Sequence, residues 1–155
     1  MSRLKLAELA QLAEIVAAIA VVVSLIYVGT EVQGNTAAIR GAAMQAIATT
    51  DADALMTVAA DAELSDIVRL GDQDPSQLTA ADAYRYKLFM RQFWLSFQNI
   101  FQQSELGLIE TSVWQSYLTV ICGRYAMPGP RQTWSEHVEI LDTAFVAVIR
   151  KCENR

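Results

Sequence analysis

The sequence predicts an all-α protein: a long N-terminal transmembrane helix continuing into, or followed by, a small helical bundle. Three observations predict it. An apolar run without a single charge occupies Ile15–Gly29. Large apolar side chains recur every three or four positions from Tyr86 to Phe101, the period of one helix face. Only Phe145–Ile149 reads as a strand, and it has no partner strand to complete a sheet.

The uncharged run alone makes a helix of about 22 Å at 1.5 Å per residue. Extended back to Leu9 it reaches about 31 Å, which matches a bilayer core of about 30 Å. The extension takes in Glu14, one turn inside the end, where a carboxyl group can reach the interface or be protonated. A secretory signal would also begin with bases, here Arg3 and Lys5, but Val28-Gly29-Thr30 is a poor substitute for an A-x-A cleavage site. The buried helix of a soluble protein should show a polar face, and Ile15–Val28 offers only Ser24 and Tyr27. We therefore read 1–8 as a flank, 9–29 as an uncleaved span and 30–155 as a helical domain.

Ala13, Ala17, Ala20, Ser24 and Tyr27 recur at intervals of four and three and share one side of that helix. Small residues let a second helix approach closely in lipid, so the face predicts a homo-oligomer or docking onto a membrane protein partner. The alternative is that alanine is simply common in this stretch. Arg3 and Lys5 precede the span, and Arg40 is the lone base in the twenty residues after it. By the positive-inside rule this places the N-terminus in the cytoplasm by one charge plus the terminal amine, with Glu8 nearby, so the side of the domain stays open.

The remaining elements follow in order. An alanine-rich helix is expected over about 36–60, with Ile39, Ala43, Ile47, Thr50 and Ala54 at helical spacing. A short helix over 62–70 should end at Gly71 as a cap. Pro75 breaks the chain, and Thr79 with Asp82 caps a helix over 80–105. That helix carries the stripe Tyr86, Phe89, Met90, Phe93, Trp94, Phe97, Ile100 and Phe101, read as core, and Gly107 closes it. Trp114, Tyr117, Leu118, Ile121 and Tyr125 define a helix over 111–125. Met127-Pro-Gly-Pro130 reads as a break before a helix over 131–141, and a last apolar helix over 143–151 starts at a cap on Asp142 or Thr143.

Chemistry is sparse. At 155 residues the chain suits one domain, or one small domain plus an anchor. Its net charge of −5 is uneven: eight acids against Arg69 between Asp51 and Asp82. A nucleic-acid partner needs a basic stripe to neutralise phosphates, and the sequence has none. Cys122 and Cys152 form no metal or redox motif and read as two unlinked structural thiols. The only histidine, His137, has Glu136 and Glu139 beside it but no further ligands and no H-E-x-x-H, so no metal, cofactor or catalytic residue is assigned. The acids of Asp51–Asp74 lack the order of a calcium loop and read as a solvated face. Arg91 stands among Phe89, Met90, Phe93 and Trp94; between rings it would clamp an anionic lipid headgroup, and otherwise it pairs with an acid or faces solvent.

The stretches SLIYVGTEVQGNTAAIRGAA, LTAADAYRYKLFMRQFWLSFQNIFQQSELGLIETSVW and PGPRQTW, in this order, resemble a family of short, uncharacterised bacterial proteins with one N-terminal transmembrane helix and a small helical domain. The matching residues are Gln33, Asn35, Thr36 and Arg40, then Phe97, Asn99, Ile100, Phe101, Gln102, Gly107, Leu108 and Trp114. The resemblance implies residence in the bacterial inner membrane and carries no activity. The family's basic flank implies a cytoplasmic domain, but this chain has Gly34 where a base is usual, and Gln98 where Glu is usual. The expected function is that of a non-enzymatic accessory, assembly or scaffold subunit. The alternatives are a sensor of a lipid or anionic amphiphile using Arg91, and a tethered enzyme built on His137.

Overall fold

No proline interrupts the chain before Pro75, and one uninterrupted helix, α1, runs Arg3–Ala60. The computed structural model describes residues 3–154 and the side chains of 8–153, so Met1, Ser2 and the side chains of the basic flank residues Arg3 and Lys5 lie outside it. Of the two arrangements expected, the continuing one holds: residues 30–35, between the stretches 9–29 and 36–60, are themselves helical. Gly29 and Gly34 weaken a helix by about 1 kcal/mol each relative to alanine, which does not suffice to end one. The hydroxyls of this segment turn back on the helix: Thr30 Oγ1 donates to the Tyr27 carbonyl at 2.8 Å and Thr36 Oγ1 to that of Val32 at 2.9 Å.

The chain divides into two units, Met1–Gly41 and Ala42–Arg155. Within the second, α2 spans Ala62–Gln73, α3 Ala80–Glu105, α4 Thr111–Tyr125, α5 Pro128–His137 and α6 Thr143–Ile149. Short 3-10 turns follow α2, α5 and α6 at Pro75–Gln77, Val138–Ile140 and Arg150–Asn154. Among the described residues there is no strand.

Local chemistry sets most of these ends. The Asp61 side chain accepts from the Leu64 amide at 3.0 Å and starts α2. At the head of α3, Thr79 Oγ1 accepts from the Asp82 amide at 3.2 Å and donates to the Asp82 carboxylate at 2.7 Å, as the sequence leads one to expect. The α3 end is a Schellman motif: Gly107, at φ +68°, donates to the Ser104 carbonyl, and Leu108 to that of Gln103, both at 2.9 Å. Asp142 caps α6 through the amides of Ala144 and Phe145.

Two boundaries depart from the expectation. Gly71 is no cap: α2 continues to Gln73, and Gly71 is buried inside it. A Cβ on Gly71 would meet the Tyr86 ring at 2.4 Å, and one on Gly129 would meet the Gly71 carbonyl oxygen at 1.9 Å, so both glycines are there to let α2, α3 and the start of α5 touch. The Pro128-Gly-Pro130 stretch begins α5 instead of preceding it, because the first helical turn tolerates proline.

The core of the second unit is aromatic. Trp94, Met90, Ile121, Phe145 and Ile149 have no exposed surface. Trp94 meets Trp134 edge-on at 4.9 Å and Phe93 at 5.0 Å, and Phe101 joins Trp114 at 5.4 Å to Phe145 at 5.8 Å. The α3 stripe is therefore core: Tyr86, Met90, Trp94, Ile100 and Phe101 are buried, with Phe89, Phe93 and Phe97 packed against them. The α1 segment inside this unit contributes Ile47 to the same core, and Asp51 accepts a hydrogen bond from the Tyr117 hydroxyl at 2.5 Å.

Cys122 and Cys152 are joined in a disulfide, with Cα atoms 5.1 Å apart, against the expectation of two unlinked thiols. The bond ties α4 to the last 3-10 turn, where the Tyr125 hydroxyl also donates to Glu153 at 2.7 Å. Thirty residues separate the two cysteines, and only the fold of α5 and α6 back across α4 brings them together.

Candidate functional site

Two places in the molecule need explaining: the apolar surface of α1 and a charged cluster inside the helical domain. On α1, the large apolar side chains from Leu9 to Val32 are each 52–67% exposed, on every side of the helix. Each would gain about 1.5–3 kcal/mol on leaving water, so the segment leaves on the order of 20 kcal/mol of apolar burial unrealised in the isolated chain. Among the described residues, then, one helix is long and apolar enough to cross a membrane. The helical backbone places Ala13, Ala17, Ala20, Ser24 and Tyr27 within about 80° of arc, at 100° per residue, and all five are exposed. Ala13, Ala17, Ala20 and Ser24 are small, and the strip ends at the exposed Tyr27 ring.

The charged cluster joins three helices. Asp72 of α2 accepts from Arg124 Nη2 of α4 at 2.8 and 3.0 Å and from the Tyr86 hydroxyl of α3 at 2.7 Å. Asp72 is buried, and the Arg124 side chain is 23% exposed. The guanidinium lies over the Phe93 ring at 4.9 Å and the Phe89 ring at 5.2 Å, while its Nε is buried without a hydrogen-bond partner. Burial first, and then the hydrogen bond to Asp72, push the Tyr86 hydroxyl far above its ordinary pKa, so it stays a donor at every physiological pH. The cluster is internally neutralised. It fixes the register of α2, α3 and α4: such a pair adds little net stability, but removing one partner strands the other.

The arginine enclosed by aromatic rings is thus Arg124 and not Arg91, which is exposed on α3. Sequence adjacency placed Arg91 among Met90, Phe93 and Trp94, yet Met90 and Trp94 point into the core. Arg124 carried one legible signal, a lone base in the last turn of an apolar helix, and nothing local named its partners.

His137 is 4% exposed, and its Nδ1 lies 2.7 Å from the Thr133 carbonyl. A carbonyl only accepts, so Nδ1 carries a proton and the ring is held as a buttress of α5. Glu136 instead pairs with Lys87 at 2.7 Å, tying α5 to α3. Among the described residues no three His, Cys, Asp or Glu side chains converge to hold a metal ion. A groove of about 190 Å³ runs between the Ala46–Asp51 turns of α1 and the polar edge of α3, lined by Gln92, Ser96, Asn99 and Gln103. It holds amide and hydroxyl groups and a single carboxylate, Asp51, which already accepts from Tyr117.

Comparison with family models, curated proteins and solved structures yields no match to this chain.

Proposed function

We propose that this chain is a non-enzymatic, single-pass protein of the bacterial inner membrane that serves as an accessory, assembly or scaffold subunit. The observation that carries the proposal is the surface of α1, apolar on nearly all sides from Ile15 to Val28 and exposed throughout. Lipid covers such a surface at no cost in unsatisfied groups, because a helix bonds its own backbone. The strip Ala13–Ala17–Ala20–Ser24–Tyr27 is then the contact for a second helix, which in lipid associates by close packing. The helical domain supports this reading through its polar groups, which are spent on its own architecture: Arg124 on Asp72, and His137 on Thr133.

Purification of the full chain in a mild detergent, followed by measurement of the mass of the protein part of the complex, tests the proposal. The expected result is a homo-oligomer or a stoichiometric complex with a second membrane protein, lost in the Ala17→Leu/Ala20→Leu variant. A solitary monomer would overturn it.

A further inference from the structure

We infer that the helical domain faces the oxidising side of the membrane, with the start of α1 on the reducing, cytoplasmic side, and that the domain is a substrate for a dithiol oxidase there. The inference rests on the reading of α1 as a membrane span. Two independent observations carry it.

The first is the disulfide. Cys122 and Cys152 lie thirty residues apart, and the bond closes the C-terminal turn onto α4. Cytosolic thiol pools keep such pairs reduced, whereas the periplasm and equivalent compartments oxidise them. Cys122 and Cys152 are each only partly buried, so an oxidant can reach them in the folded domain. The thiolate of one attacks a disulfide sulfur of the oxidase, and the thiolate of the other displaces the oxidase from the mixed disulfide. The protein gains one S–S bond; the oxidase takes the two electrons and leaves with two thiols.

The second is charge. Arg3 and Lys5 lie before the span, and Arg40 is the one base in the twenty residues after it. Lysine and arginine near the ends of a span favour the cytoplasmic side, so the start of the chain stays inside and the domain crosses. The domain's acidic run does not oppose export, because Asp and Glu contribute little to orientation.

The test uses the full chain expressed in bacterial cells. Thiols are trapped by acid quenching and alkylated with a maleimide polymer, before and after reduction. The inference expects no adduct before reduction and two after it, with two adducts before reduction in cells lacking the periplasmic dithiol oxidase. Two adducts in cells with the oxidase would overturn it. A second measurement places Leu106→Cys, at a side chain 73% exposed, in a Cys122→Ala/Cys152→Ala background. A maleimide that cannot cross the inner membrane should label it in intact cells, and labelling only after permeabilisation would overturn the orientation. Alkaline carbonate extraction of the same cells separates the two failures. Protein that stays in the membrane but is labelled only after lysis refutes the orientation alone, whereas protein released by carbonate refutes the span itself.

Discussion

Opening the Cys122–Cys152 bond should lower the melting temperature of the helical domain by about 15 °C. The bond closes a loop of thirty residues. Releasing it returns about 12 cal/mol/K of entropy to the unfolded chain, equivalent to about 3.6 kcal/mol at 25 °C. Unfolding a unit the size of Ala42–Arg155 carries about 240 cal/mol/K in total, and the ratio of the two entropies sets the shift. The bond also holds Tyr125 and Glu153 together, so the loss should be accompanied by fraying of the last turn. Trp94, Trp114 and Trp134 are all buried, which makes near-ultraviolet circular dichroism of the detergent-solubilised chain a direct reporter. Melting is compared for the oxidised protein, the reduced protein and the Cys122→Ala/Cys152→Ala variant. A shift under about 3 °C, or less than about 1 kcal/mol, would refute the loop-closure reasoning.

Three further outcomes follow from the packing. Arg124→Leu leaves Asp72 buried without its counter-ion and should cost about 3 kcal/mol in urea unfolding, with Asp72→Asn/Arg124→Leu recovering at least half of it; additive losses would refute the pairing. Gly129→Ala puts a methyl group 1.9 Å from the Gly71 carbonyl and should destabilise by about 3 kcal/mol or more, whereas Gly123→Ala, with nothing within 4 Å, should be neutral or stabilising by up to about 1 kcal/mol. Burial, and then hydrogen bonds to Asp51 and Glu153, raise Tyr117 and Tyr125 to about 12. The folded state then holds protons that the unfolded state has released. Their contribution to stability should be level below about pH 10 and fall between about pH 10 and 12, a fall that a series of urea midpoints would show and Tyr117→Phe would lessen.

The fold was legible where its signals are local. The Thr79–Asp82 cap, the Gly107 turn and the Tyr86–Phe101 stripe each lie within a few turns of chain, so spacing and side-chain chemistry identify them. What escaped depends on distant chain. Gly71 has the composition of a cap, but its reason is the Gly129 backbone and the Tyr86 ring. Cys122 and Cys152 meet only after α5 and α6 have folded back, so their spacing says nothing about their bond. Arg91 and Arg124 both neighbour apolar residues, and only the three-dimensional turn of α3 decides which of them faces the Phe89 and Phe93 rings. That Ala13, Ala17, Ala20, Ser24 and Tyr27 share one side of α1 was readable because one helix face needs nothing but the helical period.

The most direct test of the central claim is flotation of the full chain on a density gradient after an alkaline carbonate wash of the membranes. The account predicts that the protein floats with the lipid. It also predicts that Val16→Asp/Ile19→Asp/Val23→Asp, at about 3 kcal/mol for each charge in the bilayer core, moves the protein to the soluble fraction, where Cys122 and Cys152 stay as thiols on the cytoplasmic side. Unmodified protein left as a folded monomer at the bottom of the gradient would contradict the account.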